Sequence, residues 1–178
     1  MKRVKRVLAL LAAFALVLAM AVPAWAASNT GSITVQNAKE NEEYKIYRIF
    51  DLESYSENSY SYKMSTKWSD AGFATDSVFR EYFEIVNGYI KPKAEFTDEA
   101  AATFAKNALA FAKEKSIKDD GHQTAGNAGV SFSSLSLGYY LLDTSLGTLC
   151  SLDTTNPAAI LREKNDSPTI EKKVKEND

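Results

Sequence analysis

Residues 44–50 have the sequence YKIYRIF, in which large apolar side chains recur at alternate positions. Consecutive side chains of a β-strand point to opposite faces, so this period predicts a strand. One face then carries four of the seven side chains: Tyr44, Ile46, Arg48 and Phe50. The other three positions form the opposite face. The same period, followed along the rest of the chain, indicates the class of fold.

Further alternating runs lie on both sides of residues 44–50. Residues 31–37 (GSITVQN) precede them, and residues 59–64, rich in Ser and Tyr, predict a third, partly exposed strand. A strand near residues 82–85 leads into Asn87-Gly88, a hairpin turn signal. Several short strands separated by turns are typical of a β-sandwich. The second half of the chain adds three predicted strands: residues 130–133, 138–144 and 158–163.

One α-helix is predicted over the Ala-rich residues 100–115. Thr97 is a good N-cap, the two acidic residues that follow it suit the positive end of the helix dipole, and Lys113 and Lys115 suit the negative end. We expect this helix to be an insertion on one side of the sandwich.

Two other segments of the middle region carry weaker signals. Residues 76–80 predict a short helical turn. Residues 118–129 contain three glycines and predict a surface loop, in which His122 is a solvated side chain.

The amino terminus has the pattern of an export signal. A basic start at residues 1–6 is followed by an apolar run at residues 7–22 and by Ala24-Trp25-Ala26, a small-residue cleavage site. We therefore assign residues 1–26 as a signal peptide and expect a secreted protein. No second apolar stretch follows, so no membrane span is predicted in this chain.

Composition narrows the classes of function. The net charge of −2 gives no reason to expect a nucleic-acid partner. The single histidine and the single cysteine make a zinc site implausible and exclude an internal disulfide. Cys150 is expected to be a small buried hydrophobe. The sequence contains none of the common catalytic or phosphate-binding motifs, so we expect no enzymatic activity, no catalytic residues and no cofactor.

The carboxyl-terminal residues 168–175 (PTIEKKVK) again alternate as a strand. Lys172 then shares a face with Ile170 and Val174, and an apolar setting favours the neutral, nucleophilic amine of a lysine. The alternative is an edge strand whose lysine extends to water.

Four segments in order carry a resemblance to a known family. The chain resembles the amino-terminal region of a Gram-positive, sortase-assembled pilin subunit of the isopeptide-forming fimbrial type. Of these four segments, the two carboxyl-terminal ones are specific to that family. The matching segments are residues 31–35 with 43–50, residues 97–115, residues 137–147 and residues 154–174.

The resemblance implies a mainly β fold, an immunoglobulin-like (Cna-B-like) β-sandwich with one inserted α-helix, over residues 27–165. Residues 166–178 would be the first strand of a second, truncated isopeptide-type domain, so the chain is expected to be the front portion of a longer protein. Lys172 would be the isopeptide lysine of that domain, with its asparagine and acid beyond Asp178. The first predicted strand lacks a lysine at the corresponding place, so no internal isopeptide bond is expected in residues 27–165. Asp143 would then make a strand-end hydrogen bond.

The resemblance also implies a function. Lys164 lies where backbone pilins of the family place the lysine that a sortase links to another subunit, although an ordinary solvated lysine is the alternative. The expected function is that of a structural subunit of a covalently assembled pilus that serves attachment at the cell surface or cell wall. Its partners would be the sortase and other pilin subunits. The alternatives are an accessory or tip adhesin that binds a glycan or a matrix protein, and a secreted enzyme domain on a β-sandwich.

Overall fold

The computed structural model describes residues 30–56, 59–127, 129–143, 148–152 and 156–162. These residues are mainly β, with ten strands, three α-helices and one short 3-10 helix at Phe73–Thr75. The strands are β1 (Thr30–Gln36), β2 (Glu43–Ser56), β3 (Ser59–Met64), β4 (Phe83–Val86), β5 (Tyr89–Pro92), β6 (Gly121–Thr124), β7 (Val130–Ser136), β8 (Gly138–Asp143), β9 (Thr148–Leu152) and β10 (Ala158–Arg162). The helices are α1 (Thr66–Asp70), α2 (Ser77–Tyr82) and α3 (Asp98–Glu114).

The strands form two larger sheets and a hairpin. The larger sheet has the order β3-β2-β8-β9, with β6 also paired to β2, and the smaller sheet has the order β10-β1-β7. β4 and β5 form a separate hairpin. The pairing of β1 with β10 is parallel, whereas the other strand pairs of the described residues are antiparallel.

A first hydrophobic core lies between the two larger sheets. Ile33 and Val35 of β1 face this core, together with Phe132 of β7. Tyr44 and Ile46 of β2 approach it from the other sheet. Two sheets that enclose a shared core form a sandwich, so the coarse prediction of a mainly β fold with packed sheets is confirmed.

A second core covers the outer face of the larger sheet. Tyr47 and Ile49 of β2 point into it, and the helices close it with rings that are at most 1% exposed, among them Trp68, Phe73 and Phe104. β2 is therefore buried on both faces, and the sandwich carries a helical third layer, as expected for an insertion on one side.

Phe50 lies on a different face from the predicted one. The register between β2 and β8 shifts between Arg48 and Phe50, which pair with Tyr140 and Tyr139, so two residues of β2 advance against one of β8. This bulge turns Phe50 into the second core, away from Tyr44. Gly138 permits the close approach there, because a Cβ atom at this position would lie 2.2 Å from the Phe50 carbonyl oxygen.

The prediction of a single helix is wrong. α3 begins after Thr97, whose hydroxyl oxygen accepts a hydrogen bond from the Ala100 amide at 3.3 Å, as predicted. The helical turn predicted near residues 76–80 is confirmed as α2, which Asp76 caps. α1 was not predicted, because its five residues are too short for a helical period and it is held mainly by the burial of Trp68.

Three other differences concern strands. The loop predicted over residues 118–129 contains β6, which adds to β2 by backbone pairing of Gly121–Thr124. β9 was not predicted, and it forms the edge of the larger sheet beside β8. The strand predicted at residues 82–85 begins one residue later, because Tyr82 ends α2. Within the described residues, no helix is long and apolar enough to cross a membrane.

Candidate functional site

The predicted assembly lysines lie outside the described residues. Lys164 and Lys172 both follow Arg162, the last residue of β10 and of the described part of the chain. The signal peptide of residues 1–26 and the second domain of residues 166–178 lie outside it as well. These assignments stay predictions.

The first and last strands of the domain are neighbours. In the parallel register of β1 and β10, Ile33 is opposite Ala159 and Val35 is opposite Leu161, and all four side chains pack on the core between the sheets. Apolar pairs therefore occupy these two positions of the β1–β10 pair. The absence of an internal isopeptide bond stays a prediction.

Ser65 is the one buried polar side chain among the described residues, so every lysine of that part is at least partly exposed.

A backbone contact at one end and a side-chain hydrogen bond at the other hold β10 beside β1. At one end, the Ser32 amide donates to the Pro157 carbonyl at 2.8 Å, and a Cβ atom on Gly31 would lie 2.4 Å from that carbonyl oxygen. At the other end, Arg162 Nε donates to Gln36 Oε1 at 3.0 Å. Only glycine fits at position 31 while the last strand is in place.

Asp143 has the kind of role that was predicted for it. It ends β8, and its Oδ1 accepts a hydrogen bond from Lys113 Nζ of α3 at 2.9 Å. The carboxylate therefore ties the end of a strand to the last turn of the inserted helix.

Asp120, in the loop before β6, joins α1 to β2 at the end of the helical layer. Its Oδ1 lies 2.6 Å from Lys67 Nζ of α1, and its Oδ2 accepts the Arg48 amide of β2 at 2.7 Å. Its own amide donates to the Ile46 carbonyl at 2.7 Å. Lys67 also donates to the carbonyl oxygens of Lys118 and Asp119, so its ammonium group is held by oxygen atoms from one loop.

Two titratable groups near the first core are held in their protonated forms. Burial raises the pKa of the Tyr140 phenol to about 12, and its hydroxyl donates to the Ser136 carbonyl at 2.7 Å. Burial also raises the pKa of the Cys150 thiol to about 12. Cys150 packs against the first core as a partly buried residue, and a protonated thiol is a poor nucleophile. This supports its expected role as a packing residue.

An aromatic cavity of about 340 Å³ lies between β3 and the β4–β5 hairpin. β5 stands beside β3 without pairing to it, which leaves room between the two elements. Ring contacts hold the walls: the centroids of Tyr62 and Tyr139 are 4.8 Å apart, and those of Phe83 and Phe96 are 4.5 Å apart. Six rings line the cavity: Phe50, Tyr60, Tyr62, Phe83, Phe96 and Tyr139.

The remaining lining residues come from β5. Ile90 is buried, whereas Lys91 and Pro92 are exposed. Lys63, on the neighbouring strand β3, is held by Glu53 at 3.2 Å and lies 5.3 Å from the centre of the Tyr89 ring. Lys91 is the one charged residue among the described residues that line the cavity, and alternation along β5 places its side chain on the face opposite to Ile90 and Pro92. The arrangement offers apolar ring faces to a small molecule.

Sequence reasoning noted the tyrosines of β3 but not the cavity. The rings come from five separate segments, and no local pattern links them. Trp68, by contrast, is fully buried and serves the second core. His122 is exposed as predicted, although it lies in β6, and its Nδ1 is 3.1 Å from Asp119 Oδ1. No group of three or more potential metal ligands occurs among the described residues.

No protein-family model matches this sequence, and no curated protein matches it. The likeness to pilin subunits therefore rests on the sequence blocks described above, and the function of the protein is a proposal.

Proposed function

We propose that this protein is a structural subunit of a covalently assembled cell-surface pilus, secreted through its amino-terminal signal and without catalysis of its own. Its sandwich would be of the immunoglobulin-like, Cna-B-like type. The observation that carries the proposal is the parallel pairing of β1, the first strand, with β10, the last.

Because β1 and β10 are parallel neighbours, the two ends of the domain lie apart. The chain enters β1 at Thr30 and leaves β10 at Arg162, and because both strands run in the same direction these residues lie at opposite ends of the pair. A seven-residue strand spans about 23 Å. A domain entered at one end and left at the other suits a linear array of subunits.

The same geometry suits a load-bearing role. Tension applied through Thr30 and Arg162 pulls two parallel neighbours in opposite directions along their axes. The hydrogen bonds of the pair are then loaded together rather than one after another. A shaft subunit under tension would benefit from this arrangement.

Covalent assembly would use the lysines that follow β10. In the proposed linkage, the amine of Lys164 attacks the thioester between a sortase cysteine and the terminal carbonyl of another subunit. An amide bond forms, the thioester bond breaks and the sortase thiol is released. Lys172 would form its bond with an asparagine side chain in the following domain, with loss of one ammonia.

Cell-wall extracts of the source organism test the proposal. We expect a ladder of high-mass species that contains this protein and survives boiling in detergent, and that disappears when the sortase is deleted. Lys164→Arg should abolish the ladder, whereas Lys106→Arg, at an exposed lysine of α3, should leave it intact. A protein that runs only as a monomer in wild-type cells would contradict the proposal.

An accessory or tip adhesin is a second candidate, and one observation favours it. The cavity lined by Tyr60, Tyr62 and Tyr139 offers stacking surfaces of the kind that such a protein uses to hold a ligand. The two roles share the same fold and the same route to the cell surface.

A further inference from the structure

We propose that the outer edge of β10 binds a second copy of this protein. The β10 strands of the two copies pair antiparallel about a two-fold axis at Ile160 and join the two smaller sheets into one. The contact goes beyond the proposed function, because in a pilus it would link neighbouring shafts side by side. It does not depend on Lys164 or Lys172, so pairing and covalent assembly can fail separately.

The outer edge of β10 has no partner strand among the described residues, because β10 pairs with β1 alone and ends the smaller sheet. The Ser32 amide donates to the Pro157 carbonyl, and Ser32 is opposite Ala158 in the parallel register. Consecutive residues of a strand direct their backbone groups to alternate sides. Ala158, Ile160 and Arg162 therefore direct their amides and carbonyls away from β1, and the residues between them bond to β1.

This spacing makes the edge complementary to itself. An antiparallel pair centred on Ile160 places this residue opposite its own equivalent and places Ala158 opposite Arg162 of the second copy. All three pairs are then of the hydrogen-bonded kind, so the outward groups of the two strands exchange about six bonds. A shift of one residue would set outward groups against residues that already bond to β1, and those bonds would be lost.

The side chain at the proposed axis is apolar and exposed. Ile160 is 63% exposed, the largest fraction for any large apolar side chain among the described residues. It is opposite Thr34 on the outer face of the smaller sheet, whereas its neighbours Ala159 and Leu161 pack on the first core. Directly opposite residues of an antiparallel pair share a face, so the two Ile160 side chains would cover each other.

The charges of β10 permit this pairing. Arg162 is the one charged residue of the strand and lies at its end, where it donates to Gln36. In the proposed pair the two arginines lie four residues apart along the ladder, which is about 14 Å. This separation exceeds the screening length of about 8 Å at physiological ionic strength. No like charges therefore face each other across the contact.

The opposite edge of the smaller sheet is built differently. β7 contains a bulge, where its register with β1 shifts and Ser134 has a φ of 57°. Bulges on edge strands hinder the addition of a further strand. The register of β10 with β1 is continuous over Ala158–Arg162, so this edge keeps the regular spacing that pairing requires.

The contact is small, which sets its strength. Two strands of five residues bury less than the roughly 1,000 Å² of a stable dimer, so two free molecules would associate weakly and reversibly. A polymer would present the same edge at every subunit. Repeated weak contacts between two polymers reinforce one another, because each bond formed raises the effective concentration for the next.

Disulfide trapping tests the contact and its register in the secreted form of the chain, with Cys150→Ala as background and oxidised glutathione as oxidant. Ile160→Cys should form a covalent dimer, because Cα atoms of a hydrogen-bonded pair lie about 5.5 Å apart, within reach of a disulfide. Ala158→Cys and Arg162→Cys should each stay monomeric alone and cross-link when they are mixed. We expect at least about fivefold more dimer from Ile160→Cys, and from the mixture, than from Ala158→Cys alone.

A second measurement leaves the native cysteine in place. Amide NMR shifts of the β10 residues should depend on protein concentration up to about 1 mM, as expected for a weak contact. Ile160→Lys should remove this dependence, because two lysines would be directly opposite. Val86→Lys, at an exposed apolar residue of β4, is the control and should leave it unchanged. The thermal midpoint reports that both variants stay folded.

Three results would overturn the inference. The first is no more dimer from Ile160→Cys than from Ala158→Cys alone. The second is no cross-link in the mixture of Ala158→Cys and Arg162→Cys, which would exclude the antiparallel register. The third is protection of the Ile160 amide from hydrogen exchange that does not change with protein concentration, which would show that the chain itself covers this edge.

Discussion

Gly31 of β1 lies against Pro157, the residue before β10, so closely that a Cβ atom at position 31 would be 2.4 Å from the Pro157 carbonyl oxygen. The Ser32 amide donates to the same oxygen at 2.8 Å. This contact places the last strand beside the first and so sets the two ends of the domain apart. The proposed role in a linear polymer depends on that closure.

Substitution at Gly31 should loosen the closure. Gly31→Ala forces the Pro157 carbonyl away from β1, and we expect a loss of about 1–3 kcal/mol in the free energy of unfolding, typical of overpacking. Gly126→Ala is the matched control, because a Cβ atom there meets nothing within 4 Å, and it should change stability by about 0.5 kcal/mol or less. Urea unfolding measures both. Equal stability of the two variants would show that β10 does not lie where we describe it.

Removal of the Asp120 carboxylate should destabilise the contact between α1 and β2. Asp120→Ala removes the acceptor of the exposed Lys67 and of the Arg48 amide, and we expect a loss of about 0.5–1.5 kcal/mol in the free energy of unfolding, the net contribution of a typical hydrogen bond. Asp70→Ala, at an exposed aspartate at the end of α1, is the control. Amide hydrogen exchange should show faster exchange at Arg48 in the first variant and unchanged exchange in the second.

Alkaline solution should destabilise the protein through two protonated groups. The pKa of Cys150 rises from a usual value near 9 to about 12, and that of Tyr140 rises from near 10 to about 12. The folded state therefore keeps protons that the unfolded state releases. The associated stability is complete below pH 9 and is lost progressively as the pH rises toward 12.

A variant at Cys150 separates the two contributions. We expect the free energy of unfolding of the wild type to fall from about pH 9, whereas that of Cys150→Ala should be flat until about pH 10, where Tyr140 begins to contribute. Denaturant titrations at several pH values measure this difference. Parallel curves for wild type and variant between pH 8 and pH 11 would refute the assignment of the thiol.

Mechanical strength should depend on the direction of pulling. Force applied through Thr30 and Arg162 shears the parallel β1–β10 pair, whereas force through Thr30 and Ser136, which are opposite each other in the antiparallel β1–β7 pair, opens bonds one at a time. We expect a several-fold higher unfolding force in the first geometry by single-molecule force spectroscopy. Similar forces in both would remove the mechanical argument for a shaft subunit.

Much of the strand pattern could be predicted because the strands that border the first core turn an apolar face toward it. β1 and β7 show the alternation directly in Ile33 and Val35 and in Val130 and Phe132. β2 gave the same signal for a different reason, since both of its faces are buried. A bulge inside such a strand moves a residue to the other face without changing the pattern, so the position of Phe50 was predicted wrongly.

Other features leave no local trace in the sequence. β6 (GHQT) has no apolar face, and it is a strand because the backbone of β2 offers free hydrogen-bonding groups at that point. The short helices form because single large rings, such as Trp68, fill the second core. The aromatic cavity depends on how the β4–β5 hairpin stands beside β3, which is decided by tertiary packing.

Mass spectrometry of the native polymer tests the central claim most directly. The protein would be released from cell walls of the source organism and digested with trypsin, and each lysine-containing peptide would be mapped. The account predicts a branched peptide at Lys164 that carries the carboxyl-terminal residues of another subunit, and a cross-link at Lys172 with loss of one ammonia. Unmodified peptides at both lysines, in protein recovered from the cell wall, would contradict it.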